Sequence, residues 1–263
     1  QFVMDFKPGG VMTVGLAYAA KQKPDGYTLV MSGPAYSLVP LINIERSFDP
    51  VKDFDPVSVI SKRSALMLVS NDTPIRNVKE YIAYAKANPG KITLSTGGQG
   101  GPQHLTGSWL ESLTDTKLTY VHYKSISTSY PDLMAGRVNM TFATFSAGFP
   151  MVKAGKIRAV AIASLQRNSL LPDLPTAEEQ GLPGFEYSSW LGMLTVAKSP
   201  AAIVNKLHGE LVKIAKMPEI KEKMGAEVNL LALAPEAARR HISGETERWR
   251  KLTTERNIKL EGN

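Results

Sequence analysis

The sequence predicts an α/β fold in two lobes, and three observations lead there. Short β-rich runs alternate along the chain with segments whose apolar residues recur every three or four positions, the pattern of parallel sheets covered by helices. Two long extended segments, "DPVKDFDPVSVISKRSALMLVSNDTP" at 49–74 and "GFEYSSWLGMLTVAKSP" at 184–200, are what a chain shows when it crosses from one lobe to another and later returns. A chain of 263 residues that is 43% hydrophobic has material for one large domain or two modest ones. The crossings place an outer lobe at 1–65 and 191–263 and a middle lobe at 66–190.

The β-rich runs are "YTLVMSG" (27–33), "ALMLVS" (65–70), "ITLST" (92–96), "LTYVHY" (118–123), "VNMTFATF" (138–145), "IRAVAIAS" (157–164) and "WLGMLTVA" (190–197). Val78, Ile82 and Ala85 mark a helix, with Thr73 as its expected N-cap and Pro74 at its first position. A helix over 200–216 carries Ile203, Leu207, Leu211 and Ile214 on one stripe, with Ser199 as its expected cap. A second, over 235–255, is mostly charged and turns Ile242, Trp249 and Leu252 inward. Neither an internal repeat nor a low-complexity tract is present.

Composition narrows the function. Lys and Arg total 31 against 24 Asp and Glu, a formal charge of +7. The basic residues are scattered without interleaved aromatics, which argues against nucleic acid as a partner and for a mild general attraction of anions. There are no cysteines, so disulfide and thiolate chemistry are excluded, and an oxidising compartment such as the periplasm suits the chain. No apolar run approaches the roughly 20 residues that cross a bilayer. The opening "QFVMDFKPGG" is strand-like, with no basic-then-apolar leader, and reads as a start inside a domain.

The stretch "LSTGGQGGPQHLTGSW" (94–109) sets four glycines between a strand and a helix that opens near Pro102 or Gln103. It is not a Walker loop, because no Gly-Lys-Ser/Thr follows. Nor is it a dinucleotide turn, because Gln103 stands where the third Gly should fall after Gly98 and Gly100. What remains is a strand end, bare backbone N–H groups and the positive end of a helix, which together suit an anion such as a carboxylate without a catalytic residue; a plain flexible glycine turn is the alternative.

The four histidines lack metal-ligand spacing, and no G-x-S-x-G elbow is present. Asp and Glu fall mainly in turns. No cofactor, metal or catalytic residue is therefore expected, although His104, in the first helical turn, is placed to help the anion site. Other strand ends offer Ser32, Lys124, Thr144 and Ser146, with Tyr123 beside Lys124. Ligands of parallel sheets bind beyond the strands' carboxyl ends. The expected ligand contacts are Ser32 from the outer lobe and Thr96, Gly98, Gln99, Gly100, Gln103, Lys124, Thr144 and Ser146 from the middle lobe.

Read in order, "PGGVMTVG" (8–15), "KPDGYTL" (23–29), "DPVKDFDPVSVI" (49–60), "VKEYIAYAKANPGKITLSTGGQGGPQHLTG" (78–107), "VHYKS" (121–125), "KAGKIRAVAIAS" (153–164), "LPDLPTAEEQGLPGFE" (171–186) and "SSWLGMLTVAKSP" (188–200) resemble the solute-binding proteins of tripartite tricarboxylate transporters, the Bug or TctC-like receptors. The resemblance implies a periplasmic binding protein of the type II-like, Venus-flytrap kind, its two lobes joined by two hinge crossings. It further implies capture of a small organic acid (a dicarboxylate, tricarboxylate or aromatic carboxylate) for membrane permease subunits, in the periplasm.

Three departures accompany it. Family members begin with a further strand, a Pro-x-Gly-Gly-x-x-Asp loop that forms half of the ligand clamp, and a helix, none of which is in the 263 residues. The expectation is that upstream residues exist or that the outer lobe is rearranged or paired. "PGGVMTVG" has fewer glycines than usual. Ala143 and Ser125 stand where Asp and Gly are common. Two other functions fit the same fold: a periplasmic sensor that signals to a membrane partner, and an enzyme on a carboxylic acid with His104 as base.

Overall fold

A computed structural model describes residues 3–260 apart from 8, 10, 11, 43, 44, 188, 226, 227, 256 and 259. The "PGGVMTVG" and "SSWLGMLTVAKSP" stretches therefore lie partly outside the described residues. In chain order the elements are α1 (Thr13–Ala19), β1 (Leu29–Ser32), α2 (Pro34–Leu38), β2 (Phe54–Arg63), β3 (Ala65–Ser70), α3 (Val78–Ala87), β4 (Thr93–Thr96), α4 (Pro102–Thr114) and β5 (Thr119–His122). There follow α5 (Tyr130–Met134), β6 (Met140–Thr144), α6 (Phe145–Lys153), β7 (Ile157–Ile162), β8 (Trp190–Val196), α7 (Ala201–Lys216), α8 (Pro218–Met224), β9 (Val228–Leu230) and α9 (Pro235–Glu255). The chain divides into one unit of 1–62 with 190–263 and a second of 63–189.

The first unit holds a four-stranded sheet in the order β1-β8-β2-β9. Here β8 runs antiparallel to both β1 and β2, which corrects the expectation of parallel sheets. The reason is connectivity. β2 carries the chain out of this unit and β8 brings it back, and two adjacent strands that leave and return must run in opposite directions. Leu16, Tyr36, Phe54, Trp190, Leu194, Ala238 and Ile242 form its core.

A buried carboxylate sits against that core. Glu245 of α9 accepts hydrogen bonds from Ser37 Oγ at 2.7 Å and from Trp190 Nε1 at 2.8 Å. The three residues foreseen to turn inward on α9, Ile242, Trp249 and Leu252, are buried. The stripe on α7 is shallower: Ile214 is 44% exposed.

The second unit holds a five-stranded sheet in the order β5-β4-β6-β3-β7. β4 is parallel to β5 and β6, whereas β3 is antiparallel to β6 and β7. The sheet is mixed because β3 enters directly from the crossing and runs against the others. Its position near the centre explains its unbroken apolar run: Ala65, Met67 and Val69 pack into one cluster and Leu66 and Leu68 into another.

Two helix starts differ from expectation. α3 begins at Val78 and not at Pro74, with Asn77 as N-cap: its side chain accepts from the Glu80 amide at 2.8 Å, and Glu80 reaches back to the Arg76 amide at 2.7 Å. This reciprocal capping satisfies two otherwise open donors. Thr73 instead lies in a turn whose carbonyls at 73 and 75 are held by Arg158. α7 takes Pro200 as N-cap, because the Ser199 hydroxyl is engaged with the Val196 carbonyl at 2.7 Å.

Candidate functional site

One end of the second unit's sheet collects the loops that matter. β4, β5 and β6 are parallel neighbours and finish there at Thr96, His122 and Thr144. β3 starts at the same end, since Ala65 pairs with Thr144, and β7 finishes there, since Ile162 pairs with Leu66. The chain also enters and leaves the unit here: the Arg63 amide donates to the Ser189 carbonyl at 2.8 Å and the Tyr187 amide to the Ala163 carbonyl at 2.9 Å. Carboxyl ends of adjacent parallel strands are where α/β sheets present ligand loops.

The glycine loop follows β4. Gly98 (φ 132°) and Gly100 (φ 71°) occupy backbone conformations that side chains rarely adopt. A third glycine sets the distance of α4 from the sheet: a Cβ on Gly107 would stand 2.3 Å from Leu94 Cδ2 and 2.9 Å from Tyr120 Cε1. That close approach brings the start of α4, capped at Gly101 by no side chain, up to the strand ends.

The loop's amides are not all bare. The Gly98 N–H donates to Thr96 Oγ1 at 3.3 Å, the Gly100 N–H to His104 Nδ1 at 2.8 Å and the Gly101 N–H to the Gly98 carbonyl at 3.3 Å. The Gly97 and Gln99 amides, and those of Gln103 and His104 in the first turn of α4, have no partner among the described residues. A second source of donors lies beside them. The Ile126 amide nitrogen, opening the 3₁₀ turn Ile126–Ser129, is 3.4 Å from where a Cβ on Gly97 would be.

The side chains around the loop are chiefly neutral. Thr96 is buried, and its hydroxyl lies 2.6 Å from Nδ1 of His122. His104 packs edge-on against Tyr120 (4.5 Å between ring centres) and His122 (5.5 Å). Burial, and then His122, push its imidazole down to about 4. Tyr120 is held by Glu111, which accepts from its hydroxyl at 2.8 Å and from the Leu118 amide at 2.7 Å. Burial raises the Tyr120 phenol above its ordinary range.

Gln103 is 5% exposed and its Nε2 donates to the Tyr187 hydroxyl at 3.0 Å. This ties the first turn of α4 to the segment through which the chain leaves the unit. Tyr123 donates to Asp132 Oδ2 at 2.6 Å while Arg137 Nε grips Oδ1 at 2.8 Å. The Tyr123 hydroxyl first, and Arg137 second, hold that carboxyl below its usual range.

The remaining expected contacts are placed as follows. Gln99, Lys124 and Ser146 are exposed, and Thr144 Oγ1 lies 3.5 Å from Ser146 Oγ. Thr96, Gly98, Gln99, Gly100, Gln103, Lys124, Thr144 and Ser146 therefore all sit at or just beyond the same end of one sheet. Ser32 belongs to the first unit, at the end of β1, where its hydroxyl is buried with no partner among the described residues. His122, Tyr187 and the Ile126 amide were not foreseen as parts of this environment. The strand alternation of "LTYVHY" was the only signal for the first. Backbone donors leave no mark in side-chain identity.

The neutral ring of His104 has a consequence for acid stability. In the unfolded chain a histidine takes a proton near pH ~6.5, whereas the folded ring resists until about 4. Between those values the unfolded state holds the extra proton, so stability falls as pH falls. With partial solvent screening the loss is about 2 kcal/mol. Urea midpoints for wild type and His104→Asn at about pH 7.5 and about pH 4.5 measure it. A flatter profile is expected in the variant, and equal slopes contradict the assignment.

Residues 1–258 match the sequence profile of the tripartite tricarboxylate transporter family receptors, TctC. The chain belongs to this receptor family. It is 30% identical over 257 residues to a UPF0065 protein from the tcbD-tcbE intergenic region of Pseudomonas sp. strain P51, covering 97% of this chain and 76% of that one. Among solved structures it is similar to Rpa4515 of R. palustris with adipate, at 29% identity and TM-score 0.80, covering 98% of this chain and 87% of that one. It is also similar to the periplasmic binding protein BugD, at 28% identity and TM-score 0.75, covering 95% and 85%. The fold class is thus the α/β, type II-like two-lobe fold of the TctC receptors, which are solute-binding proteins and not enzymes. No helix among the described residues is long and apolar enough to cross a membrane.

Proposed function

We propose that this TctC-family chain is a periplasmic solute-binding protein that captures a small organic carboxylate, without any covalent step, for the permease subunits of a tripartite tricarboxylate transporter. The observation that carries the reading is the group of open backbone donors at Gly97, Gln99, Gln103, His104 and Ile126, gathered at the carboxyl ends of parallel strands around an uncapped helix start. Such donors hold a carboxylate by charge-assisted hydrogen bonds with no cation required. The adipate in Rpa4515 supports the same class of ligand here. The proposed contacts are Thr96, Gly98, Gln99, Gly100, Gln103, Lys124, Thr144 and Ser146 at this end of the second unit's sheet.

A thermal-shift panel of adipate, succinate, citrate and benzoate tests the reading. An acid that binds only the folded state, at about 100 times its Kd, adds about 2.7 kcal/mol and raises Tm. At least one acid is expected to do so, and Gly100→Val, which demands a strained φ in the loop, is expected to abolish the shift. A panel in which no acid moves Tm, or in which the variant responds like wild type, overturns the assignment of the site. Co-purification with membrane permease subunits tests the transport role against a signalling one.

A further inference from the structure

Resting on the carboxylate-binding reading above, we propose that the His104 imidazole is an internal stand-in for the anion. It caps the Gly100 amide while the loop is empty, is displaced when a carboxylate takes that amide, and picks up a proton once displaced, so that the acid is held more tightly at lower pH.

His104 is the third residue of α4, the position from which a side-chain acceptor reaches back over a helix start. Its Nδ1 accepts the Gly100 N–H at 2.8 Å, which places the ring proton on Nε2. A protonated imidazole carries N–H on both nitrogens and has no acceptor to offer, so the cap and the cation exclude one another. The Gly100 amide, at φ 71° beside the open Gln99 amide, is one that a carboxylate entering this loop would use.

The surroundings of the ring decide the sign. From β5 it is faced by the His122 ring and by Tyr120; from its own helix, Glu111 is spent on the Tyr120 hydroxyl and the Leu118 amide. The positive end of α4 also opposes a cation at this position. Burial and His122 accordingly depress the free ring to about 4. Displacement frees Nδ1 from its donor, releases the ring from its packing and sets a carboxylate next to it, while the helix end stays in place. The balance is one N–H···N bond exchanged for one N–H···O bond, with the proton supplied by solvent.

If release restores an ordinary histidine near ~6.5, linkage makes capture about tenfold tighter at pH ~5.5 than at pH ~7.5. Each acid bound at the lower pH then takes up about 0.9 proton.

The test uses adipate with wild type and His104→Asn, whose amide oxygen can replace Nδ1 as acceptor but does not titrate. Calorimetry at about pH 5.5 in buffers of different ionisation heat counts protons, and the variant corrects for adipate's own titration. Wild type is expected to take up about 0.9 proton more than the variant. Nitrogen NMR of wild type alone gives a second reading: Nδ1 should be an acceptor in the free protein and protonated with adipate, while the Gly100 amide shifts. Equal proton counts, or an Nδ1 that is protonated in the free protein or unchanged by bound adipate, overturn the proposal and leave the carboxylate site intact. If neither protein binds adipate or any acid of the panel, the functional reading falls and this proposal falls with it.

Discussion

Glu245→Ala is expected to destabilise the first unit by about 3–5 kcal/mol, since it removes the acceptor from a buried network and leaves the donors behind. The Glu245 side chain is 1% exposed. Without it, Trp190 Nε1–H and the Ser37 hydroxyl, bonded at 2.8 Å and 2.7 Å, remain buried with no acceptor. Each orphaned group costs about 1–3 kcal/mol, and a cavity adds to this. The Arg248 guanidinium, 3.4 Å from the other carboxylate oxygen, loses this contact as well. Trp190 opens β8, the strand that returns the chain from the second unit, and Ser37 belongs to α2. The damage should therefore reach the whole β1-β8-β2 ladder. Glu245→Gln keeps one acceptor oxygen but presents an amide to a donor, so its loss should be smaller. Urea unfolding followed by tryptophan fluorescence measures both. A loss under about 1 kcal/mol for the alanine variant contradicts the network.

What the sequence disclosed is uneven, for physical reasons. The seven β-rich runs and the two long helices stand out because strong apolar periodicity survives in the fold: "ALMLVS" is β3 to the residue, and α9 spans 235–255. β2 was harder to resolve. Asp55, Pro56 and the Ser residues interrupt its apolar pattern, and the shifts of register at Pro56/Ser58 and Val59/Ser61 break the strict alternation by which a strand is read. The caps failed at α3 and α7 for a common cause. Thr73 and Ser199 carry the right chemistry, but tertiary partners or local turns had prior use of them, and Asn77 with Glu80 made the better box.

The candidate site divides in the same way. Glycines at 98 and 100 announce a loop that needs positive φ, and Pro102 announces the helix. Whether an amide in that loop is open or capped depends on where a neighbouring side chain turns. The i to i+4 spacing of Gly100 and His104 is visible in the sequence, but the direction of the hydrogen bond and the neutrality of the ring are not. Gln103 is a case in which residue type misdirects. A polar side chain at a helix start looks like a ligand contact, yet one hydrogen of its Nε2 goes to Tyr187, and its backbone N–H is a further open donor that residue type does not reveal.

Gly107→Val is expected to cost about 3 kcal/mol and to weaken acid binding together with stability, because the helix that starts from the loop rests on this residue. A Cβ there meets Leu94 Cδ2 at 2.3 Å and Tyr120 Cε1 at 2.9 Å, well inside contact distance. Neither neighbour has room to yield: Leu94 is fully buried in the core, and the Tyr120 ring is pinned through its hydroxyl to Glu111 and packed on His104. Overpacking of this kind costs about 1–3 kcal/mol, and a second branch on Cβ drives the total to the upper end. Gly107→Ala separates the two contributions. Alanine gains about 1 kcal/mol of helix propensity over glycine, which offsets part of the overpacking cost, so a net loss between about 0 and about 2 kcal/mol is expected. If α4 lifts from β4 to admit the new atoms, Gly97, Gly100 and the His104 cap lose their register, and the thermal shift by any binding acid should shrink in step with stability. An alanine variant more stable than wild type by the full propensity gain, with ligand binding unchanged, contradicts the role given to this glycine.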